Sequence, residues 1–377
     1  MSLRIPLAKP EITDADREVV LAVLQTPHLS MGPKLTQFED AMAAYLRCPF
    51  AVAANSGTSA LHLAIRALDI PRGADIVLPS FTFSAVLNVL LQEGLRPVFA
   101  EIDPATFNVT PETVEALLCD RTAAIIVVHT FGRPAPVDRL STLARRKNIA
   151  LIEDACEALG AEINRQRVGT FGDAGILAFY PNKQIITGEG GMLVTSRRTI
   201  ADRARRLRNQ GRDPGLDWFQ HVEVGYSYRL SEMNCALGAS QLRRLEETIE
   251  RRQTLAARYD RKIAEIGEAL LPSLSAENGR ISWFSYVVLM PEWMDGSGRD
   301  FIAKQLLQKG IQTGRYFAPL HRQPVIRNSV PAELVVTDSV AGRALALPFF
   351  NQMAEAEVEE VCTALAKALS DLRGRRM

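Results

Sequence analysis

The chain has 377 residues, 47% hydrophobic and 23% charged, with 44 Lys and Arg against 43 Asp and Glu, a net charge of +1. That balance excludes a protein whose main business is nucleic acid or an anionic membrane, and the length points to two domains of about 150 residues or more. Five scattered cysteines (Cys48, Cys119, Cys156, Cys235, Cys362) with no C-x-x-C pair argue against a zinc or thioredoxin-like site. No apolar run reaches the ~20 residues of a membrane span, and Met1–Pro6 lacks a signal peptide's apolar stretch. A soluble, cytoplasmic protein with reduced thiols and no metal is therefore expected.

In chain order, Thr13 caps an amphipathic helix, Thr13–Leu24, which packs on either the first domain or the second. A strand-like run, Ala51–Ala54, leads into Asn55-Ser56-Gly57-Thr58-Ser59-Ala60-Leu61-His62 and a helix, Ser59–Leu68. Strands are expected at Asp75–Leu78, Pro97–Glu101, Ala123–Val128, Ala150–Ile152, Gly175–Phe179 and Gly191–Val194, with a helix at Thr110–Leu118. Short apolar runs buried on both faces and alternating with helices imply an α/β fold with a mostly parallel sheet. Two long helical stretches, Ser231–Ile249 and Glu250–Ile266, bridge to a smaller C-terminal α+β domain. Its strand is expected at Trp283–Met290 and its helices at Asp300–Lys309 and Glu355–Leu372. The division falls between a large domain, 1–249, and a small one, 250–377.

Three segments carry chemistry. The Gly57-Thr58-Ser59 turn opens a helix, where free backbone N–H groups and the dipole suit an anion; a plain helix cap has the same pattern. Asp154, in Ile152-Glu153-Asp154-Ala155-Cys156-Glu157, ends an apolar strand, where ligands of open α/β sheets bind. A carboxylate there can hold a protonated heterocyclic nitrogen, or simply cap a helix after the strand. Lys183, in Phe179-Tyr180-Pro181-Asn182-Lys183-Gln184, lies between a buried strand and the glycine-rich turn Thr187–Gly191. A surface lysine is the ordinary case, but lysine forms Schiff bases readily and burial can lower its pKa toward neutrality. Phosphate cup, ring-nitrogen acid and Schiff-base lysine, in that order, are what a pyridoxal-phosphate (PLP) site requires. A dinucleotide oxidoreductase would need a G-x-G-x-x-G after the first strand, which is missing.

Further segments fit one family. They are Gly32-Pro33 with Phe38-Glu39, Gly57–His62, Glu153-Asp154-Ala155 leading to Gly169, Phe179–Gly191, and Gly225-Tyr226-Ser227-Tyr228-Arg229-Leu230-Ser231-Glu232. His321, Gln323-Pro324 and Leu345–Pro348 add to them. On these residues the chain resembles, almost throughout, the DegT/DnrJ/EryC1/StrS family of PLP-dependent sugar aminotransferases. The resemblance implies the fold type I PLP-transferase architecture and a homodimer with active sites at the subunit interface. It implies that Lys183 is the Schiff-base lysine and proton carrier, that Asp154 pairs with the pyridinium nitrogen, and that Thr58 and Ser59 hold the phosphate at Gly57. Phe83 stacks on the ring by the same resemblance, with ordinary core packing as its other reading.

Three positions depart from the family's pattern. Glu157 replaces a common Gln facing the cofactor's phenolic oxygen, Ala178 a phosphate-binding Ser, and Ser227 an Asn that reaches the other subunit's phosphate. Arg229, Tyr316 and His321 are candidates for the substrate side, with an ion-pair, core or loop role as their alternatives. Relatives that dehydrate sugars carry His in place of the lysine, so Lys183 favours transamination. The expected reaction moves an amino group from an amino acid, glutamate in this reading, to a nucleotide-linked keto sugar. A PLP-dependent sugar dehydratase or lyase is a second reading. A non-catalytic PLP-binding regulatory protein is a third, though no helix-turn-helix module or basic stripe accompanies it.

Overall fold

The structure is a computed structural model that describes residues 3–217, 219–267, 279–326 and 333–374. Its strands are β1 (Phe50–Ala54), β2 (Asp75–Pro79), β3 (Arg96–Ala100), β4 (Thr122–Val128), β5 (Ala150–Asp154), β6 (Glu162–Ile163), β7 (Gln166–Arg167), β8 (Ala174–Ala178), β9 (Gly191–Thr195), β10 (Gly279–Arg280), β11 (Tyr286–Leu289) and β12 (Ala344–Leu347). Seven form one sheet in the order β1-β9-β8-β5-β4-β2-β3. The pairs β8–β5, β5–β4, β4–β2 and β2–β3 are parallel, while β9 runs antiparallel to both β8 and β1. The expected α/β architecture, a mostly parallel sheet between helices, is what the chain adopts.

The period of two along each strand distributes side chains to two cores. Val52, Ala54, Ile76, Leu78, Ala124, Ile126 and Ile176 join a core with helices Gly57–Ala67, Ala85–Gln92 and Arg198–Arg208. Ala51, Ala53, Val77, Ile125, Val127 and Leu177 face the opposite core, with helices Pro33–Leu46, Val137–Lys147 and Glu232–Leu242. Both faces are thus covered, which is why these strands read as continuous apolar runs. A third cluster gathers Tyr286, Val288, Leu345 and Leu347 of the β11–β12 ladder with Ile302, Leu306, Val361 and Leu365 from helices Gly296–Gln308 and Glu355–Gly374. Helix Leu245–Ile266 joins the units: Leu245 and Ile249 lie in the sheet's core, Leu255, Tyr259 and Ile263 in the third cluster.

Several expected elements change shape. The stretch 231–249 is not one helix, because the chain breaks at Arg243–Arg244 between helices Glu232–Leu242 and Leu245–Ile266. Arg244 there makes a two-pronged pair with Asp16, at 2.9 and 2.6 Å. That pair docks the N-terminal helix, Asp14–Leu24, on Glu232–Leu242. The residues before this helix go elsewhere: Ile5 bridges to Ile311 and the Leu7 N–H donates to Gln312 Oε1 at 3.0 Å. The helix expected at Thr110–Leu118 shortens to Pro111–Glu115. Only the second half of 283–290 is strand; Trp283 has φ +52°, and residues 282–284 bond to Phe131 and Gly132 instead. Among the described residues no helix is long and apolar enough to cross a membrane.

Candidate active site

The C-terminal ends of parallel β5 and β8 and the start of helix Gly57–Ala67 build one edge of the sheet. In β5 neighbouring side chains point to opposite faces, so Glu153 and Asp154 part company. Glu153 is fully buried and accepts from the N–H groups of Gly169, Phe171 and Gly172 at 2.7, 2.6 and 2.8 Å, with His129 Nε2 at 3.2 Å. It is a structural carboxylate that fixes the 169–172 turn. Asp154 is half-buried, and its Oδ1 accepts only a local bond, from the Cys156 N–H at 3.1 Å.

Ser56 caps the glycine turn: its Oγ accepts from the Ser59 N–H at 3.1 Å and bonds Ser59 Oγ at 3.0 Å. The N–H groups at the helix start beyond this cap have no helical partner. Gly57 is required by contact rather than by dihedral angle. A Cβ there would lie 2.9 Å from Ala178 Cβ and 3.1 Å from Cys156 Sγ. Ala178 therefore sits directly beside the first residue of the cup. Thr58 is exposed, Ser59 is 8% exposed, and the Asn55 Oδ1 just before the cap is buried without a partner.

Lys183 is close to Glu157, with Nζ 3.7 Å from Oε1, and its side chain is only 12% exposed. Its ammonium also lies 4.1 Å from the centre of the Phe284 ring. The other Glu157 oxygen, Oε2, accepts from the Phe131 N–H at 2.9 Å. Burial pushes the Glu157 carboxyl above the usual range, and Lys183 and the Phe131 N–H only partly offset it. Burial and Asp154 hold the Cys156 thiol well above its ordinary value, so it stays protonated. Gln184 braces the pair, donating to the Glu157 carbonyl at 2.6 Å and to Ser282 Oγ at 3.1 Å.

The remaining candidates spread around this centre. Burial and the nearby Glu157 raise the Tyr316 hydroxyl's pKa, with Asn182 partly offsetting them; Asn182 Oδ1 is buried with no partner among the described residues. Phe83 is 63% exposed, so its ring is not core. Ser227 is exposed, and Arg229 is held by Asn209 Oδ1 at 3.0 Å and Ser227 Oγ at 2.8 Å. His321 is different. Its ring is 1% exposed, with Nδ1 2.7 Å from Ser80 Oγ and Nε2 3.2 Å from Asp338 Oδ1, the latter close but not aligned for a hydrogen bond. Its N–H also donates to Ser80 Oγ at 3.1 Å. Through Ser80 the residue ties the 316–322 segment to the end of β2.

The residues fit PLP. The cup begins at a glycine that no larger residue could replace, a carboxylate stands at a strand end, and a nearly buried lysine lies close by. Two buried side-chain oxygens beside these elements, Asn55 Oδ1 and Asn182 Oδ1, have no hydrogen-bond partner among the described residues. Sequence reasoning missed Phe131, Gln184 and Phe284. Their contacts join segments more than twenty residues apart and leave no local pattern.

A family model for the DegT/DnrJ/EryC1/StrS aminotransferase family matches residues 10–366. The chain is 35% identical over 367 residues to the GDP-perosamine synthase of Caulobacter vibrioides, covering 97% of this chain and 98% of that one. It is 34% identical over 380 residues to the dTDP-4-dehydro-2,3,6-trideoxy-D-glucose 4-aminotransferase of Saccharopolyspora spinosa, covering 97% of each. The crystal structure of the aminotransferase TlmJ from Streptoalloteichus hindustanus superposes with a TM-score of 0.93 at 30% identity, over 98% of this chain and 100% of the other. The family model spans nearly the whole chain and all the candidate site residues, and the chain belongs to the DegT/DnrJ/EryC1/StrS family of PLP-dependent sugar aminotransferases.

Proposed function

We propose that this aminotransferase moves the amino group of glutamate to the keto carbon of a nucleotide-linked sugar, a substrate of the kind named for the Saccharopolyspora relative. The observation that carries the reading is Lys183, a nearly buried amine 3.7 Å from a buried carboxyl. PLP, when bound, supplies an electron-withdrawing ring and a carbonyl that takes up amines. Lys183 Nζ would hold the cofactor at that carbon and, once displaced by the donor's amine, would carry the proton from the donor's Cα to the carbon that had been the cofactor's carbonyl. Asp154 keeps the ring nitrogen protonated. The helix start at Gly57, with Thr58 and Ser59, binds the phosphate, and Phe83 stacks on the ring. Glu157, with its raised pKa, shares a proton with the cofactor's phenolic oxygen.

The same proposal includes a homodimer in which Ser227 and Arg229 reach the other subunit's site, Arg229 meeting the donor's carboxylate. It includes a large cofactor-binding domain at 1–249 and a small one at 250–377. Tyr316 lies on the substrate side.

The test is a steady-state series with glutamate and a nucleotide-linked keto sugar, with the sugar product weighed by mass spectrometry. Two half-reactions at one site give parallel double-reciprocal lines, and the sugar gains an amino group while glutamate becomes 2-oxoglutarate. A sugar that loses water without gaining nitrogen would replace this reading with the dehydratase.

A further inference from the structure

Glu157 and Phe284, which both approach the Lys183 amine, are linked through one short piece of chain. Residues 282–284 run beside 131–132: the Ser282 N–H donates to the Gly132 carbonyl at 3.0 Å and the Phe284 N–H to the Phe131 carbonyl at 3.1 Å. Phe131 N–H in turn bonds Glu157, and Ser282 Oγ bonds Gln184. Gly132 has no room for a Cβ, which would fall 2.7 Å from the Trp283 nitrogen and 2.8 Å from that of Phe284. The position of the Phe284 ring on Lys183 Nζ therefore depends on where this segment sits.

Arg252 clamps the segment from behind. It is 4% exposed, and its NH1 donates to the carbonyls of Trp283 at 2.9 Å and Phe284 at 3.2 Å. No carboxylate among the described residues pairs with it, and burial brings its pKa down to about 10 against a pull from Glu11. The desolvation cost of this buried cation is offset in part by the two carbonyls and by the Phe349 ring, 5.5 Å from the guanidinium carbon. Arg252 lines a small space together with Lys183, Gln184, Gln241 and Thr248. Arg252 also lies on helix Leu245–Ile266, between Ile249 in the sheet's core and Leu255 in the third cluster.

We propose that Arg252 is a positioning residue for the reaction: by holding the Trp283 and Phe284 carbonyls it sets the Phe284 ring against Lys183 and so places the amine for bond formation with the cofactor. This rests on Lys183 being the Schiff-base lysine. Charged or titratable groups near the amine include Glu157, with Asp154, Cys156 and Tyr316 around it, and Lys9, Glu11, Arg244 and Arg252 line one space with Lys183. The path of contacts from Arg252 to Lys183 runs through the Phe284 carbonyl and ring.

The experiment uses cofactor-free full-length protein. The rate at which the Schiff-base absorbance band appears on adding PLP is measured for wild type, Arg252→Met, Arg252→Lys, Phe284→Leu and the double variant Arg252→Met/Phe284→Leu. Affinity for pyridoxamine phosphate, which fills the same site but forms no bond to lysine, is measured beside it. The proposal expects Arg252→Met and Phe284→Leu each to slow band formation about tenfold, with pyridoxamine phosphate affinity nearly unchanged. The double variant should be no slower than the slower single, and Arg252→Lys should recover part of the rate. An unchanged rate in Arg252→Met, equal losses of rate and pyridoxamine phosphate affinity, or effects that multiply in the double variant would each overturn it. Should Arg252→Met not fold, an unchanged rate in Phe284→Leu overturns it alone. A wild-type protein that forms no band overturns the Schiff-base reading and this proposal together.

Discussion

Single residues decide how the cofactor's charge is balanced. Glu157 is buried beside Lys183, and its carboxyl is raised above the ordinary range by burial. A carboxylate in that place favours the protonated, positively charged state of the cofactor–lysine unit, so replacing it with a neutral amide should favour proton loss. Glu157→Gln is expected to move the pH midpoint of the cofactor's absorbance downward by about one unit; an unchanged midpoint would mean that Glu157 and the phenolic oxygen share no proton. Ala178 makes a second case. It lies against Gly57 at the mouth of the cup, where a hydroxyl would add one donor to a phosphate oxygen. Ala178→Ser should slow PLP loss on dialysis several-fold, since a bond to a charged group is worth about 1.5–3 kcal/mol before the new hydroxyl's own desolvation is counted. Equal loss rates would show that Asn182 or another group already fills that role. The residues proposed to carry chemistry could be singled out in the sequence, although lysine, a strand-end aspartate and a helix-opening glycine all have ordinary roles; the structure sets Lys183 beside Glu157 and Gly57 beside Ala178 and Cys156. The wall around them could not be, since Phe131, Arg252 and Phe284 are an ordinary aromatic, cation and aromatic until the fold brings them together.

Whole elements were legible where one residue period dominates. The sheet strands were found to within a residue or two because both faces are buried, whereas the 283–290 segment was read as one strand. Its first part obeys Gly132 and Arg252 and only Tyr286–Leu289 obeys the ladder with β12. Likewise helical periodicity runs through Arg243–Arg244, and the break there follows from a tertiary pair, Arg244 with Asp16. That pair carries a pH signature. Burial alone would raise the Asp16 carboxyl, yet Arg244, Thr13 and Ser240 hold it at about 2, below its ordinary 3.8. A depressed acid stabilises the fold above its unfolded pKa and loses that contribution as pH falls through the folded one. Arg244→Met should therefore cost about 2 kcal/mol near neutral pH, and in denaturant titrations the deficit should shrink as pH drops from 3.8 toward 2. A deficit independent of pH in that window would assign the loss to packing of the Arg244 stem instead.

At the scale of the molecule, the surface near Ser227 carries more exposed apolar area than a solvated loop keeps. Phe219 is 83% exposed, Val224 78%, Leu216 51% and Val222 49%, all within one stretch. Exposed apolar residues gathered in one stretch suit a subunit interface, and this stretch precedes Ser227 and Arg229, the two residues proposed to reach the other subunit's site. Light scattering should give twice the 41.6 kDa chain mass. Val224→Asp should shift the mass toward the monomer and, by withdrawing Ser227, speed cofactor loss on dialysis. A wild-type monomer that keeps its cofactor would remove the dimer from the account. No sequence period announces such a patch, because a loop's side chains follow no repeat.

The most direct measurement of the central claim is an absorbance spectrum of the purified protein with PLP, before and after glutamate, beside Lys183→Ala. The account predicts a visible Schiff-base band in the wild type that glutamate converts to the pyridoxamine form, and a variant that cannot complete the cycle. A wild-type protein with no band even after PLP is added would contradict it, leaving the fold without its chemistry.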